Sequence, residues 1–126
     1  MSVGYLADSF DLINVRDLDL IAQARARCAR LVVGVFTDEY AERVFGRRPI
    51  IPLSERMAVL REVRGIVEVV AHDDASADDV SAAIRFAAAD APQDLAEEAV
   101  WLTPARRSAS VVLRNVLAIE DQEAVA

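Results

Sequence analysis

Short apolar runs alternate along the chain with stretches in which apolar residues recur every three or four positions. The runs are residues 2–7, 31–36, 66–71 and 99–102, and their nearly continuous apolar character is typical of strands covered on both faces. Helical spacing occurs in residues 17–30, 37–44, 55–63, 80–87 and 108–117. Because strands and helices alternate, the pattern predicts an α/β domain with a parallel sheet of about four to five strands flanked by helices.

Polar residues that can cap helices support these boundaries. Thr37 and Ser54 stand directly before two of the helical stretches, where a hydroxyl can accept from a free backbone N–H. Ser76 and Asp79 have the spacing of a capping box, which predicts that residues 80–87 form a helix rather than a strand.

The composition fits one domain. A chain of 126 residues with 54% hydrophobic content can bury a core, and we predict a domain over residues 1–119 with a frayed tail at 120–126. No apolar run approaches the roughly 20 residues that span a bilayer, and the N-terminus lacks the layout of a signal peptide. We therefore expect a cytoplasmic protein with no membrane partner. The one cysteine, Cys28, falls in a helical stretch, where buried filler is its expected role.

The charged residues exclude several classes of ligand and reaction. The net charge of −7 argues against nucleic acid as a partner, and because all 14 basic residues are arginines, no lysine can contact a phosphate. The single histidine, His72, stands beside Asp73 and Asp74, but this spacing is not that of a metal site, and one histidine specifies no catalytic triad. We expect no metal site built by the protein alone.

Polar residues follow the first apolar run, just before a helical stretch. In a parallel sheet, ligands bind at the carboxyl ends of the strands, where helix N-termini offer free N–H groups to phosphates. The stretch "GYLADSFDLINVRD" has this layout, yet it carries aspartates where a phosphate loop should be neutral or basic.

This stretch resembles the opening of the small cytidylyltransferases, especially the glycerol-3-phosphate cytidylyltransferases, in which G-T-F-D-L-L-H-x-G-H closes the first strand and opens a helix. Phe10, Asp11 and Leu12 match in register. The stretch "RRPIIPLSERMAVLREVRGIVEVVAHDD" is similar to the basic loop, the I-P-x-x-x-R helix and the V-D-E-V-V strand of that family, and "ARRSASVV" looks like a worn I-S-T-T-x-I motif. The resemblance covers residues 3–74 and resumes at about residue 99. It implies a small Rossmann-like three-layer domain.

The resemblance also implies which positions face a nucleotide. The histidines of H-x-G-H, which stabilise charge on the triphosphate, correspond to Asn14 and Asp17, and the glycine between them corresponds to Arg16. The glycine and threonine of G-T-F-D correspond to Asp8 and Ser9. Both imidazoles are therefore absent, and a carboxylate stands where backbone should approach phosphate.

Other family positions keep side chains that can hold an anion. Arg56 occupies the arginine position of I-P-x-x-x-R, Arg47 and Arg48 lie in the basic substrate-binding loop, and Ser108 and Ser110 match hydroxyls of the last motif. The family catalytic positions are thus Asn14, Asp17 and Arg56, and the implied nucleotide or phosphate contacts are Asp8, Ser9, Phe10, Asp11, Arg16, Arg47, Arg48, Ser108 and Ser110.

One part of the family pattern has no evident counterpart. Its G-D-D-W segment, which follows another strand and helps to hold the nucleotide, is not found between Asp73 and Trp101. We therefore expect the sheet to lack that strand.

The residues of the loop and helix start also have structural interpretations. Asn14 can cap the helix, and Asp17 is favoured in a first helical turn by the helix dipole. Asp11 can cap the turn that it occupies.

The arginines and Ser108 have such interpretations as well. Arg56 can pair with Glu55 or Glu62 on an exposed face, and Arg47 and Arg48 can be solvated loop charges. Ser108 can cap the helix predicted to follow it.

Three functions fit this pattern. The favoured one is a cytidylyltransferase-like domain that serves as a non-catalytic binding or partner subunit. The second is a divergent nucleotidyltransferase in which Asn14 or Arg16 replaces the imidazoles, Mg²⁺ enters with CTP, and a polyol phosphate or phosphonate accepts the cytidylyl group. The third is a small anion-binding module, unrelated to nucleotides, that uses Arg47, Arg48 and Arg56.

The same pattern predicts partners. A small chain with short strands leaves apolar surface to cover, and the cytidylyltransferases that it resembles are commonly dimers, so we expect a homodimer. A protein partner and a small phosphorylated ligand are the other expected contacts, and no cofactor is expected unless the chain is active.

Overall fold

The computed structural model describes residues 2–76, 80–90, 99–106, 108 and 116–117. The strands are β1 (Val3–Asp8), β2 (Arg30–Phe36), β3 (Ile66–His72), β4 (Ile84–Ala88) and β5 (Val100–Leu102), and the helices are α1 (Val15–Arg25), α2 (Asp38–Phe45) and α3 (Leu53–Leu60). All strand pairs are parallel, and the strands lie in the order β3-β2-β1-β4-β5. The parallel α/β sheet predicted from the alternation of elements is confirmed.

The interior strand β2 shows why the domain has three layers. Leu31, Val33 and Val35 pack into one core with α1 and α3, whereas Val32 and Phe36 pack into a second core with α2. Successive side chains of a strand point to opposite faces, so a continuous apolar run places apolar groups in both cores.

Local sequence explains the boundaries of α2, whereas the predicted Ser54 cap is wrong, because α3 begins at Leu53 after Pro52 and has no side-chain cap hydrogen bond. The Thr37 hydroxyl accepts from the Tyr40 N–H at 3.2 Å, and α2 ends at Gly46 in the left-handed conformation, as capping rules require. Helix α1 ends at Arg25, five residues before the predicted boundary, because β2 begins at Arg30 and residues 26–29 form the connection. Cys28 lies in that connection rather than inside a helix, half-buried against the first core.

The prediction of a helix over residues 80–87 is wrong: residues 80–83 form a bend and an irregular connection, and β4 begins at Ile84. Ile84, Phe86 and Ala88 pack into the first core with a period of two residues, and the strand that they form pairs with β1 on one side and β5 on the other. The expectation that no strand lies between Asp73 and Trp101 is corrected at the same place. Alanine-rich segments have strong helix propensity, which sheet pairing overrides here.

Several predictions fall on residues that the structure does not describe. Asp79 of the expected capping box lies outside the described residues, whereas Ser76 closes a turn by donating to and accepting from Asp73. Of the helix expected at 108–117, residues 116–117 are described and are helical. The tail at 120–126 lies outside the described part. No helix in the described ranges is long and apolar enough to cross a bilayer.

Candidate functional site

The carboxyl ends of the strands meet the start of α1 at one edge of the sheet, where parallel α/β domains bind ligands. The loop from Ser9 to Asn14 connects β1 to α1 at this edge. Phe10 and Leu12 in the loop both have φ of 52°, a left-handed conformation that costs non-glycine residues on the order of 1–3 kcal/mol. The surrounding fold therefore holds the loop in a strained shape.

Arg16 lies at the centre of a cluster of three aspartates, which we call the Arg16 cluster: Asp8, Arg16, Asp17 and Asp90. One terminal nitrogen of Arg16 lies 3.0 Å from a carboxylate oxygen of Asp8 and 2.8 Å from one of Asp17. The other terminal nitrogen and Nε donate to the two oxygens of Asp90, at 2.5 and 3.0 Å. This two-pronged pairing is the strong geometry for arginine and carboxylate. The cluster joins β1, α1 and the end of β4.

Burial strengthens the interactions among the charged groups of this cluster. The side chains of Asp8 and Asp17 are 3% exposed and that of Arg16 is 18% exposed, whereas Asp90 is 46% exposed. Burial and the neighbouring Asp8 charge raise the pKa of Asp17 to about 6, against the lowering effect of Arg16. Burial opposes the charge on Arg16, but its bond to Asp90 and the charges of Asp8 and Asp17 raise its pKa overall. When all four groups are ionised, three carboxylates outweigh one guanidinium.

Asn14 and Asp17 together cap α1. The Asn14 side chain accepts from the Arg16 N–H at 2.9 Å, and the Asp17 carboxylate accepts from the Asn14 N–H at 3.3 Å, which completes a capping box. The structural interpretation of both residues is confirmed. Their side chains serve the helix end.

Asp11 holds a neighbouring loop. Its two carboxylate oxygens accept from the N–H groups of Ile50 and Ile51 at 2.9 and 3.0 Å, and the residue is 4% exposed. These partners lie about 40 residues away in the chain, so the carboxylate links two loops in addition to any bond within its own turn. Asp11 thus fixes the approach to α3.

Arg56 is buried and fully engaged by the protein. Its guanidinium donates to the carbonyl oxygens of Ile51 at 2.8 Å and of Ser9 and Phe36 at 2.7 Å, and to the carboxylate of Asp38 at 2.6 Å. The side chain is 1% exposed. The expected pairing on an exposed face with Glu55 or Glu62 is therefore wrong. Arg56 joins the ends of β1 and β2 to the start of α2 and α3.

The remaining predicted contacts lie outside the Arg16 cluster. Arg48 is exposed and pairs with Glu42 at 3.1 Å and Glu39 at 3.3 Å, while Arg47 is exposed and forms no ion pair with the described residues. Phe10 is 2% exposed and belongs to the first core. The N–H of Ser9 donates to Asp8 at 2.6 Å. Ser108 is half-buried, and Ser110 lies outside the described residues.

His72 belongs to the second core. It is 3% exposed, its Nδ1 lies 2.6 Å from the Tyr5 hydroxyl, and its ring packs against Phe36 and Tyr40. Burial lowers the pKa of His72 and raises that of Tyr5 to about 12. In the described part of the chain, no group of three or more His, Cys, Asp or Glu side chains could hold a metal ion.

Sequence reasoning missed Asp90 and Asp38. Asp90 is the second residue after β4, and it reaches the Arg16 cluster because β4 lies next to β1. Treating residues 84–88 as a strand with a period of two would have placed Asp90 at the ligand-binding edge. Asp38 begins α2 and faces Arg56, and its position directly after the Thr37 cap was the available signal.

Comparison with known families agrees with this architecture. A family model described as cytidylyltransferase-like matches residues 6–118. The chain belongs to this cytidylyltransferase-like family. The resemblance inferred from the sequence motifs is therefore confirmed.

Curated relatives carry the name bifunctional protein HldE. The chain is 37% identical to the protein from Acidiphilium cryptum over 84 residues, which is 66% of this chain and 17% of the relative. It is 36% identical to the protein from Caulobacter sp. over 75 residues, which is 59% of this chain and 15% of the relative. The chain thus matches about a sixth of the length of these relatives.

A solved structure shares the fold. The crystal structure of the lipopolysaccharide core biosynthesis protein from Thermoplasma volcanium GSS1 aligns with a TM-score of 0.71 at 17% identity, covering 86% of this chain and 99% of the other. At this identity the likeness concerns the fold alone.

Proposed function

We propose that this chain is a cytidylyltransferase-like domain that does not transfer nucleotides and serves as a binding or partner subunit. The observation that carries the proposal is the Arg16 cluster. It lies at the β1–α1 junction, where the resemblance to the cytidylyltransferases implies that the triphosphate binds. The one guanidinium of the cluster is paired with three carboxylates of the same chain.

Electrostatics supports weak nucleotide binding at this position. Two unit charges ~4 Å apart interact by about 1 kcal/mol in water and about 4 kcal/mol at an effective dielectric near 20. The cluster has an excess of carboxylates, so a triphosphate placed against it would be repelled. To use Arg16, the triphosphate would also have to displace Asp90, which holds it through two hydrogen bonds.

The chemistry of group transfer points in the same direction. Removing one well-placed donor to transition-state charge costs roughly 10²–10³ in rate. The two positions that match the family histidines carry Asn14 and Asp17, and both side chains cap α1. Neither supplies a cationic donor.

Calorimetry and a pyrophosphate assay test this proposal. We expect weak or absent CTP binding with or without Mg²⁺, and no pyrophosphate release with glycerol 3-phosphate. The combined variant Asp8→Gly, Asn14→His, Arg16→Gly and Asp17→His should bind CTP better than the natural sequence. The exposed substitution Glu62→Gln makes the same net change in charge away from the site and should leave binding unchanged. Rapid Mg²⁺-dependent pyrophosphate release by the unmodified protein would overturn the proposal.

The second candidate is a divergent enzyme that moves a cytidylyl group from CTP to a polyol phosphate or phosphonate. The strained left-handed backbone at Phe10 and Leu12 favours it, because such strain is found where a loop is shaped for a ligand. In this candidate Arg16 would leave Asp90 and stabilise charge on the α-phosphate. Turnover that is lost in Arg16→Gln would support it.

The third candidate, an anion-binding module unrelated to nucleotides, has less support. Arg56 is buried and donates to four protein acceptors, and Arg48 is paired with glutamates. Arg47 is then the main cation left to such a site. Titration with inorganic phosphate, compared between the natural sequence and Arg47→Gln, tests this candidate.

A further inference from the structure

A groove of about 520 Å³ lies on the sheet face that carries α2, beside the edge strand β3. We call it the valine groove. Its lining combines apolar residues with a few polar ones: Val3, Arg30, Val32, Val67, Glu68, Val70, Ala71, Ser76, Val80 and Ser81. Half of the ten lining residues are valines, so the groove can hold apolar side chains from outside. The other face of the sheet is covered by α1 and α3.

The strand beside the groove has one open side. β3 pairs with β2, and no described residue pairs with its other edge. The β2–β3 register shifts between Leu31 and Val32, which leaves Val67 as an extra residue, 50% exposed and in the groove wall. Beyond this bulge, the backbone groups of Val69 and the N–H of Ala71 lie on the open edge, whereas the carbonyl of Ala71 accepts from the Ser76 hydroxyl at 3.1 Å and that of His72 accepts from the Thr37 N–H at 3.0 Å. Such an edge is suited to strand addition.

Five exposed arginines lie in the segments that lead into β2 and β3, at the end of the strands that faces away from the Arg16 cluster, and one of them, Arg30, lines the groove. We call them the arginine end: Arg25, Arg27, Arg30, Arg61 and Arg64. None of them forms an ion pair within the described part of the chain. Two glutamates, Glu62 and Glu68, occur in the same segments, which leaves three positive charges in a chain with a net charge of −7.

Backbone pairing and packing bring these arginines together. Leu31 pairs with Ile66, so Arg30 lies beside Gly65 and Arg64 at the start of the two strands. A Cβ on Gly65 would lie 1.9 Å from Nε of Arg25, so the Arg25 side chain rests directly on this turn. Arg30 also lines the valine groove, which makes the groove and the arginine end one continuous surface.

We propose that the valine groove and the arginine end bind an extended, acidic peptide segment of a partner protein. The segment would pair with β3 beyond the bulge and place alternate apolar side chains in the groove. Its carboxylates would face the arginine end, where guanidinium groups can form two-pronged hydrogen bonds. This surface lies at the opposite end of the strands from the Arg16 cluster, so the inference does not depend on the proposed function.

The shape and charge of the surface favour a peptide over other anions. A long polyanion such as nucleic acid would extend over the rest of a chain whose net charge is −7. A lipid surface would contact the arginines but would use neither the strand edge nor the groove. An acidic peptide uses all three features.

Binding is tested by fluorescence anisotropy with a labelled peptide that alternates valine and glutamate. We expect binding that weakens with added salt, because screened charges contribute less. The double substitution Arg30→Glu and Arg64→Glu should weaken binding roughly tenfold or more, since it replaces two attractive contacts by repulsive ones. Val67→Ser should weaken it roughly fivefold to tenfold by removing apolar contact.

Arg106→Glu is the control for a charge reversal elsewhere on the chain, because Arg106 is exposed after β5, at the sheet edge opposite β3. It should change affinity by less than roughly threefold. Circular dichroism confirms that each variant is folded. Equal affinity in the Arg30 and Arg64 double variant and in the control would overturn the proposal, as would tighter binding of a single-stranded oligonucleotide or of phosphatidylserine vesicles than of the peptide. Absence of peptide binding at low salt would overturn it as well.

Discussion

Asp17 shows what it costs to place three carboxylates around one guanidinium. Its pKa is raised from 3.8 to about 6, first by burial and then by Asp8. Between these two values the folded protein holds a proton on Asp17 that the unfolded chain releases. Ionised Asp17 therefore lowers the free energy of unfolding at neutral pH, and this penalty disappears as the pH falls through about 6 towards 4.

The variant Asp17→Asn should remove this penalty. The quantity to compare is the free energy of unfolding of the variant minus that of the natural sequence. We expect this difference to be about 2 kcal/mol larger at pH 7 than at pH 4.5. Urea unfolding of both proteins across this range measures the difference. Curves that stay parallel over the whole range would contradict it.

The lowered pKa of His72 is the reason why the Asp17→Asn variant must be compared with the natural sequence. Burial lowers its pKa from 6.5, so its contribution to stability is present at neutral pH and is lost as the pH falls through the same range. The effects of Asp17 and His72 on the natural sequence therefore oppose one another. Both proteins contain His72, so its effect cancels in the difference.

At the scale of elements, β2 packs between two layers, and Gly34 is the position where it leaves room for the side chain of Tyr5. A Cβ on Gly34 would lie 2.0 Å from the hydroxyl of Tyr5, a β1 residue that pairs with Val32 and whose hydroxyl bonds His72. Any side chain at this position would push Tyr5 away from His72. The glycine is thus required by packing and not by its backbone conformation.

Gly34→Ala should lower the free energy of unfolding by about 1–3 kcal/mol, because overpacking forces side chains to shift. Urea unfolding measures this loss. In a Tyr5→Phe background the closest atom is absent, so the penalty of Gly34→Ala should be smaller there. An equal penalty in both backgrounds would show that the Tyr5 hydroxyl is not the cause.

At the scale of the whole molecule, the described charges are separated along the strands. The carboxyl edge carries Asp8, Asp17 and Asp90, and the opposite end carries the arginine end. Exposed apolar residues such as Leu18 and Trp101, each 47% exposed, lie outside both surfaces. This distribution leaves apolar surface for a second copy.

We expect the protein to be a homodimer in solution. Light scattering at micromolar concentration should return twice the mass of 13.7 kDa. A monomer mass would count against this prediction. A hetero-complex from the native source would instead favour the role of partner subunit.

The sequence by itself determined the parallel α/β architecture and four of its five strands. Continuous apolar runs such as residues 31–36 have few other stable arrangements, and Thr37 and Gly46 mark helix ends by local hydrogen bonding and backbone conformation. These signals are local, so they can be recognised without knowing the fold. The motif around Phe10 and Asp11 likewise identified the family correctly.

Only the tertiary structure decided the roles of Arg56, Asp11 and Asp90. Each meets partners that lie far away in the chain: Arg56 bonds Ser9 and Asp38, Asp11 bonds the loop before α3, and Asp90 bonds Arg16. Whether a charged side chain is buried and paired or free to bind a ligand depends on which strands become neighbours. The alanine-rich segment that became β4 was decided in the same way, because pairing with β1 and β5 outweighed its local preference for helix.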